Sequence, residues 1–244
     1  MPCAALIRIR DLLSRLHLIS TESDLERFLV HLTSLDSPRV LSFVNAHAVN
    51  LAYLDEDFAR QLKESDWVLR DGIGVKIALK TLGTEPGLNL NGTDLIPRIL
   101  THFRGRSLAL CGTRTDTLLR AAENIREKYD IATVAHLDGF QADTAYLDLI
   151  REARPGIIVL AMGMPKQERV SVLLKRELNH PCLIINGGAI VDFIAGEVVR
   201  APRIFRQCGM EWAWRLAAEP RRLWKRYVIG NVSFLFRVLR LKLP

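Results

Sequence analysis

The chain has 244 residues, of which 49% are hydrophobic and 25% charged, and a formal net charge of +7. That length suits one large domain or one domain with an appendage, and the composition excludes a disordered, collagen-like or low-complexity chain. The charge is unevenly placed: residues 200–244 hold nine arginines and two lysines against Glu211 and Glu219, a net +9, so residues 1–199 carry a net −2.

A basic segment seeks phosphate, which can belong to nucleic acid, to anionic lipid or to a diphosphate substrate. Cys3, Cys111, Cys182 and Cys208 form no C-x-x-C pair. Their spacing argues against a zinc site or a redox motif, and a reducing cytoplasm fits. Cys111 and Cys182 sit in apolar runs and read as core thiols. The apolar stretch before Arg8 and Arg10 is too short for a signal peptide, and no stretch approaches the ~20 apolar residues that span a bilayer.

In chain order, Ser23-Asp24-Leu25-Glu26 has the form of a capping box and predicts a helix to about residue 35, ended by Pro38. Leu25, Phe28, Leu29 and Leu32 lie on one of its faces. Residues 39–44 read as a strand, 45–47 as a loop, and Val49, Leu51, Ala52 and Phe58 as a helix. The apolar run that begins at Trp67 ends in Asp71-Gly72-Ile73-Gly74, a strand handing over to a helix at 73–82. After a Gly/Pro/Asn-rich loop over 83–91, a helix begins at Gly92 with Thr93 as its expected N-cap. Strands at 107–111, 131–135, 157–162 and 182–186 then alternate with helices at 115–128, 144–153 and 166–178, the last opened by Pro165. This alternation predicts a Rossmann-like, doubly wound, mostly parallel α/β sheet over 1–199.

Beyond Arg200-Ala201-Pro202 the composition changes. Trp212, Trp214, Trp224 and Tyr227 are interleaved with Arg203, Arg206, Arg215, Arg221, Arg222, Lys225 and Arg226, and a final helix carries Val228, Val232, Leu235, Phe236 and Leu239. Residues 200–244 read as a basic, aromatic-rich helical appendage suited to a membrane interface. The competing reading is a helix packed back on the main domain with its arginines solvated.

Several stretches carry chemistry. Asp71 stands at a strand's carboxyl end, where open α/β sheets bind ligands, and can serve as a general base or cap the next helix. Gly72 and Gly74 begin a G-x-G-x-x-G pattern, but Ile77 stands at the third glycine, which demotes a dinucleotide site. The two glycines can still let backbone N–H groups approach a phosphate. Asp55-Glu56-Asp57 contains D-x-D, but within or at the edge of a helix, and reads as a solvated turn rather than a metal site. Met162-Gly163-Met164-Pro165-Lys166-Gln167-Glu168 opens a helix after a strand. Turn chemistry explains Pro165 and Glu168 but not Lys166 and Gln167, which are groups that read a nucleotide or sugar. Asn186-Gly187-Gly188-Ala189 repeats the arrangement, with Asp192 one turn on. His47 alone reads as structural.

Taken in order, these pieces resemble the WecG/TagA/CpsF family of bacterial glycosyltransferases over about residues 40–226. The resemblance rests on Asn45, Asp71 to Val75, Gly92-Thr93-Asp94-Leu95, Gly163 to Glu168, Gly187-Gly188-Ala189 with Asp192, Ala195-Gly196, Arg200-Ala201-Pro202, Glu211-Trp212 with Arg215, and Glu219-Pro220 with Arg222. It implies transfer of a sugar from a UDP-sugar to a polyprenyl-diphosphate-linked saccharide at the cytoplasmic face of the inner membrane. Inversion without an obligatory metal, no cofactor, and a C-terminal appendage that closes over the site and touches the inner leaflet are further implications.

The expected base is then Asp71. Donor contacts are expected from Asn45, Gly72, Gly74, Gly92, Asp94, Gly163, Lys166, Gln167, Gly187, Gly188 and Asp192. Diphosphate or acceptor contacts are expected from Arg206, Arg215, Arg221 and Arg222. Phe43 stands where the family commonly has Thr, and Asn89 where it commonly has Arg, which leaves the donor sugar open among N-acetylmannosamine, its uronic acid and glucose. A homo-oligomer is open, and nucleic acid is not an expected partner. The rivals are a nucleic-acid binder that uses the basic tail and a nucleotide-sugar epimerase or dehydrogenase.

Overall fold

The structure, a computed structural model, describes residues 4–242. Six strands, β1 (Arg39–Val44), β2 (Trp67–Arg70), β3 (Ser107–Gly112), β4 (Ala132–Leu137), β5 (Ile157–Ala161) and β6 (Leu183–Asn186), form one sheet in the order β2-β1-β6-β5-β3-β4. Every neighbouring pair is parallel. β1, β5 and β6 are apolar along nearly their whole length because helices cover both faces. The chain winds outward from β1 to β2, jumps to β3 and β4, and fills the gap with β5 and β6. The crevice at this reversal lies above the carboxyl ends of β1, β6 and β5, the place where doubly wound sheets hold ligands.

The helices are α1 (Ala4–Ser14), α2 (Glu22–His31), α3 (Ala46–Leu54), α4 (Glu56–Lys63), α5 (Gly72–Thr81), α6 (Gly92–His102), α7 (Thr115–Tyr129), α8 (Asp143–Ala153), α9 (Lys166–Glu177), α10 (Ile190–Ile194), α11 (Arg203–Gln207), α12 (Glu211–Ala218), α13 (Pro220–Trp224) and α14 (Gly230–Lys242). One face of the sheet packs on α2, α6, α7 and α10. The other packs on α8 and α9 toward β4, and on α1, α3, α4 and α5 toward β2. Cys111 and Cys182 are buried among these apolar side chains, and burial pushes both thiols up to about 12. Cys208 is exposed, and Cys3 lies outside the described residues.

Several boundaries differ from the sequence reading for local reasons. The cap of α2 is Thr21, whose hydroxyl accepts from the Asp24 N–H, so the helix starts before the Ser23 box. The helix expected to hold both Val49 and Phe58 breaks at Asp55, whose carboxylate caps α4 by accepting from the Phe58 N–H at 3.0 Å. The D-x-D stretch is therefore a helix junction. Asn91, not Thr93, caps α6, with 2.9 Å from the Asp94 N–H to its Oδ1. Helix α1 is an element for which the sequence reading had no place. Its Ile9, Leu12 and Leu13 pack against α3 and the last helix.

Residues 220–242 form one helical run in which a single π-helical turn, Lys225–Ile229, joins α13 to α14. Phe234, Val238 and Leu241 of α14 are buried in the same cluster as α1, α3 and α5. The apolar residues picked out by the sequence, Val228, Val232, Leu235, Phe236 and Leu239, all remain exposed. Among the described residues no helix is long and apolar enough to cross a membrane.

Candidate active site

The crevice holds a cavity of about 290 Å³. Its floor is the carboxyl edge of the sheet and its wall is the C-terminal helices. Asp71 follows β2, and its N–H reaches the Val44 carbonyl at 2.9 Å, which seats it beside the end of β1. Although Asp71 occupies the N-cap position of α5, its side chain makes no capping bond. The Gly72 N–H donates instead to Asn89 Oδ1 at 2.8 Å. Arg70, buried and hydrogen-bonded to the Pro86, Gly87 and Gly72 carbonyls and to Asn89 Oδ1, ties that loop to the turn. The choice between cap and base left open by the sequence is thus decided against the cap.

The half-buried carboxylate of Asp71 takes a hydrogen bond from Asn45 Nδ2 at 3.3 Å. The amide orientation of Asn45 is fixed because its Oδ1 caps α3 through the Ala48 N–H. Burial pushes the Asp71 carboxyl above the usual carboxylate range, partly offset by Asn45 and by the charges of Arg226, Arg215 and Arg70. His47, on the first turn of α3, also lines the cavity. Burial, helped by Arg226, pushes its imidazole down to about 4, so it is neutral at physiological pH.

On the other side of the floor, Gln167 is buried and bridges two elements. Its Oε1 accepts from the Gly188 N–H at 3.1 Å and its Nε2 donates to Glu168 Oε1 at 2.9 Å. Glu168 is buried without a cation, Oε2 has no partner, and burial pushes the carboxyl up to about 7. Asp192 accepts from Thr113 Oγ1 at 2.8 Å. Gly187 is required by space, since a Cβ there would lie 2.7 Å from Ile190 Cγ2 and 3.0 Å from Val159 Cγ1.

Over this floor stand Arg215 of α12, Arg222 of α13 and Arg226 of the π turn. The Nε atoms of Arg215 and Arg226 are buried without a hydrogen-bond partner. Arg222 is engaged by Glu219, with Nε 2.6 Å from Oε2. Glu211, at the start of α12, is pushed up by burial and by the like charges of Asp71 and Asp94, against the pull of Arg200 and Arg215.

Of the residues expected at the site, the cavity gathers Asp71, Asn45, Gly92, Gly163, Gln167, Gly187, Gly188, Asp192, Arg215 and Arg222. Gly72 forms the turn beside it with φ +86°. The others lie elsewhere. Gly74 is a packing position, since a Cβ there would sit 3.1 Å from Ala46 Cβ and 3.3 Å from the Phe234 ring. Lys166 staples the loop after β4 by donating to the carbonyls of Gly139 at 2.9 Å and Gln141 at 2.7 Å. Asp94 pairs with Arg200 and lies 3.9 Å from Arg206, and neither Asp94 nor Arg206 is among the lining residues. Arg221 is exposed outside the cavity.

Arg226, His47 and Thr93 line the cavity without having been among the expected contacts, Phe43 lines it as its place near the donor implied, and Thr113 stands behind Asp192. The spacing of Arg226 four residues after Arg222, on one helical face, was the available signal, whereas Arg221 points about 100° away. Among the described residues no group of three or more His, Cys, Asp and Glu side chains is placed to hold a metal ion.

Fold and cavity together define a Rossmann-like α/β protein with a crevice at the carboxyl edge of a parallel sheet, in which the Asp71 carboxylate is opposed by arginines. The particular family follows from comparison with known sequences. The profile of the glycosyl transferase WecG/TagA/CpsF family matches residues 10–244, and the chain belongs to that family. It is a glycosyltransferase. A relative from Bacillus subtilis (strain 168), N-acetylglucosaminyldiphosphoundecaprenol N-acetyl-beta-D-mannosaminyltransferase, is 29% identical over 191 residues, which cover 77% of this chain and 74% of the relative.

Proposed function

We propose that this glycosyltransferase moves a sugar, with inversion, from a UDP-sugar to a polyprenyl-diphosphate-linked saccharide during assembly of a bacterial surface polysaccharide. The observation that carries the reading is the pairing of Asp71, a carboxylate excused from capping its own helix, with Arg215 and Arg226 across one cavity. The name of the Bacillus subtilis relative, a transferase acting on a diphosphoundecaprenol-linked sugar, supports the acceptor class and favours N-acetylmannosamine as donor sugar.

In this mechanism the acceptor hydroxyl attacks C1 of the donor sugar and gives its proton to Asp71. The bond from C1 to the diphosphate oxygen breaks on the opposite face, and one displacement inverts the anomeric centre. Charge growing on the departing UDP is met by Arg215, Arg222 and Arg226, fixed cations in a partly dehydrated site, so that no metal is required. Asn45 orients the base, while Gln167 and Asp192 shape the donor pocket. The raised Asp71 carboxyl is a stronger proton acceptor than an exposed one, once ionised.

The acceptor's lipid implies work at the cytoplasmic face of the inner membrane. Trp224, Val228, Ile229, Val232, Leu235, Phe236 and Leu239 form an exposed apolar stripe on the last helical run, with Arg221, Lys225 and Arg240 beside it. Such a surface suits reversible attachment to anionic lipid, to which each nearby cation adds about 1 kcal/mol. The deciding test is a panel of UDP-sugars with a short-chain lipid-diphosphate-linked N-acetylglucosamine, read as released UDP and as the anomeric configuration of the product. Transfer from UDP-N-acetylmannosamine with inversion is expected. A product that retains the donor configuration, or no UDP release from any donor, would overturn the reading.

A further inference from the structure

Arg222, Leu223 and Arg226 face the cavity, while Phe234, Val238 and Leu241 of the same helical run face the core. In an unbroken α-helix, at 100° per residue, the mean directions of these two sets differ by about a quarter turn. The π turn removes the conflict. Its closing bond runs from the Gly230 N–H to the Lys225 carbonyl. An i→i+5 turn takes up one residue more than an α turn, which rotates the following helix back by roughly the missing angle. With it, cavity arginines and buried stripe lie on one side of the run.

A π turn is less favourable than the α-helix on either side, so something must hold it. Asn50, buried on α3, donates from Nδ2 to the Gly230 carbonyl at 2.7 Å, directly beyond the turn. Arg237, about two turns further on, donates to Asn50 Oδ1, and its guanidinium lies 4.3 Å from the centre of the Tyr53 ring, also on α3. Both ends of one amide are therefore spent on the last helix. The same α3 starts at Asn45, which holds Asp71, so one helix touches the carboxylate at its first turn and the arginine-bearing run at its second.

We infer that Asn50 is a positioning residue: by fixing Gly230 it maintains the π turn that aims Arg226 into the cavity. The inference rests on the reading of Arg226 as a ligand of the nucleotide diphosphate. It adds that this ligand is set by a side chain that touches no substrate. Asn50→Ala removes the clamp, and Asn50→Asp, of the same size, removes only the donor while keeping an oxygen for Arg237.

The experiment measures UDP affinity by calorimetry and hydrogen exchange of amides 222–233 in the full chain, for Asn50→Ala, Asn50→Asp, Arg226→Ala and the Asn50→Ala/Arg226→Ala double variant. Arg226→Ala is expected to weaken UDP binding by about tenfold or more, the range for a charged hydrogen bond. Both Asn50 variants are expected to weaken it several-fold and to speed exchange in the π turn. In the Arg226→Ala background, Asn50→Ala should add almost nothing, since a cycle isolates what passes through the pair. An unchanged affinity in both Asn50 variants, or a loss that persists in full without Arg226, overturns the inference. If the unaltered protein fails to bind UDP, the nucleotide-sugar reading falls, and the exchange arm alone decides: unchanged protection of the turn in both Asn50 variants overturns the clamp, and faster exchange supports it.

Discussion

The two walls of the cavity are built on opposite plans. On the sheet side the polar side chains mostly hold one another: Asn45 caps α3 and holds Asp71, Gln167 joins Gly188 to Glu168, and Thr113 holds Asp192, with Glu168 Oε2 and Asn186 Oδ1 the buried oxygens left over. On the helical side, Arg215 and Arg226 bring buried Nε atoms that nothing in the chain satisfies. A buried polar atom without a partner costs on the order of 1–3 kcal/mol, and in the proposed mechanism the diphosphate of the donor is the anion this wall receives. The sheet edge is ordered by hydrogen bonds and the helical wall carries the positive charge, the division that the proposed inverting displacement would use.

The largest effect should come from the sheet side. Asp71→Asn keeps the shape and the Asn45 neighbour but removes the proton acceptor, and turnover should fall by ~10²–10⁴-fold, measured as UDP release. The sign of the stability change sharpens the case. A carboxyl whose folded pKa lies above its unfolded value stabilises the fold only while protonated, and that contribution is lost as pH rises through the folded value. At neutral pH Asp71 therefore works against folding, and Asp71→Asn should melt at the same temperature or higher. In the native enzyme, activity should begin to fall, on acidification, at a pH above the ordinary carboxylate range.

Next comes the helical wall. Arg215→Ala should weaken UDP binding by about 10–100-fold, with Arg215→Lys recovering only part, because a point charge does not replace a guanidinium. An Arg215→Ala protein that binds UDP normally would leave the arginine wall without a role in holding the donor. Beneath the floor the effect is on stability alone and not on turnover. Glu168 is pushed up to about 7 from an unfolded value near 4.5, so its stabilising contribution is present at acid pH and lost as pH rises through about 7. Glu168→Gln should remove that loss, on the order of 3 kcal/mol at most, seen as a urea midpoint that no longer drops between mildly acid and alkaline buffer. The smallest effect is at the exterior: Val232→Glu with Phe236→Glu should leave folding intact and reduce sedimentation with anionic vesicles several-fold.

How much of this was legible in the sequence depended on how local each cause is. The α/β alternation and the place of Asn45, Asp71, Gln167, Gly187 and Asp192 in one cavity were readable, because strand ends followed by glycine or amide groups reflect constraints a few residues long. Gly74 was misassigned because a glycine needed for phosphate approach and one needed for helix contact look alike. Its partner Phe234 lies 160 positions away. Lys166 failed for the same reason, its acceptors being carbonyls of a loop that precedes it by 25 residues or more. The two apolar faces of α14 could not be separated by composition. The π turn resets the helical phase midway, so any single periodicity applied across 220–242 assigns one half of the run wrongly.

The hydrogen bond from the Gly72 N–H to Asn89 has a further consequence. A helix start and a proton acceptor compete here for the same oxygen atoms, and a side chain 17 positions downstream settles the contest. Without the Asn89 amide, the first turn of α5 has its own N-cap residue as the nearest source of an oxygen, and the Asp71 carboxylate would be drawn into the helix. The chain would gain a better-formed helix and, on the proposed mechanism, lose its base. With Asp71 as the proposed base, the loop that carries Asn89 would govern catalysis although it contributes no group to the cavity.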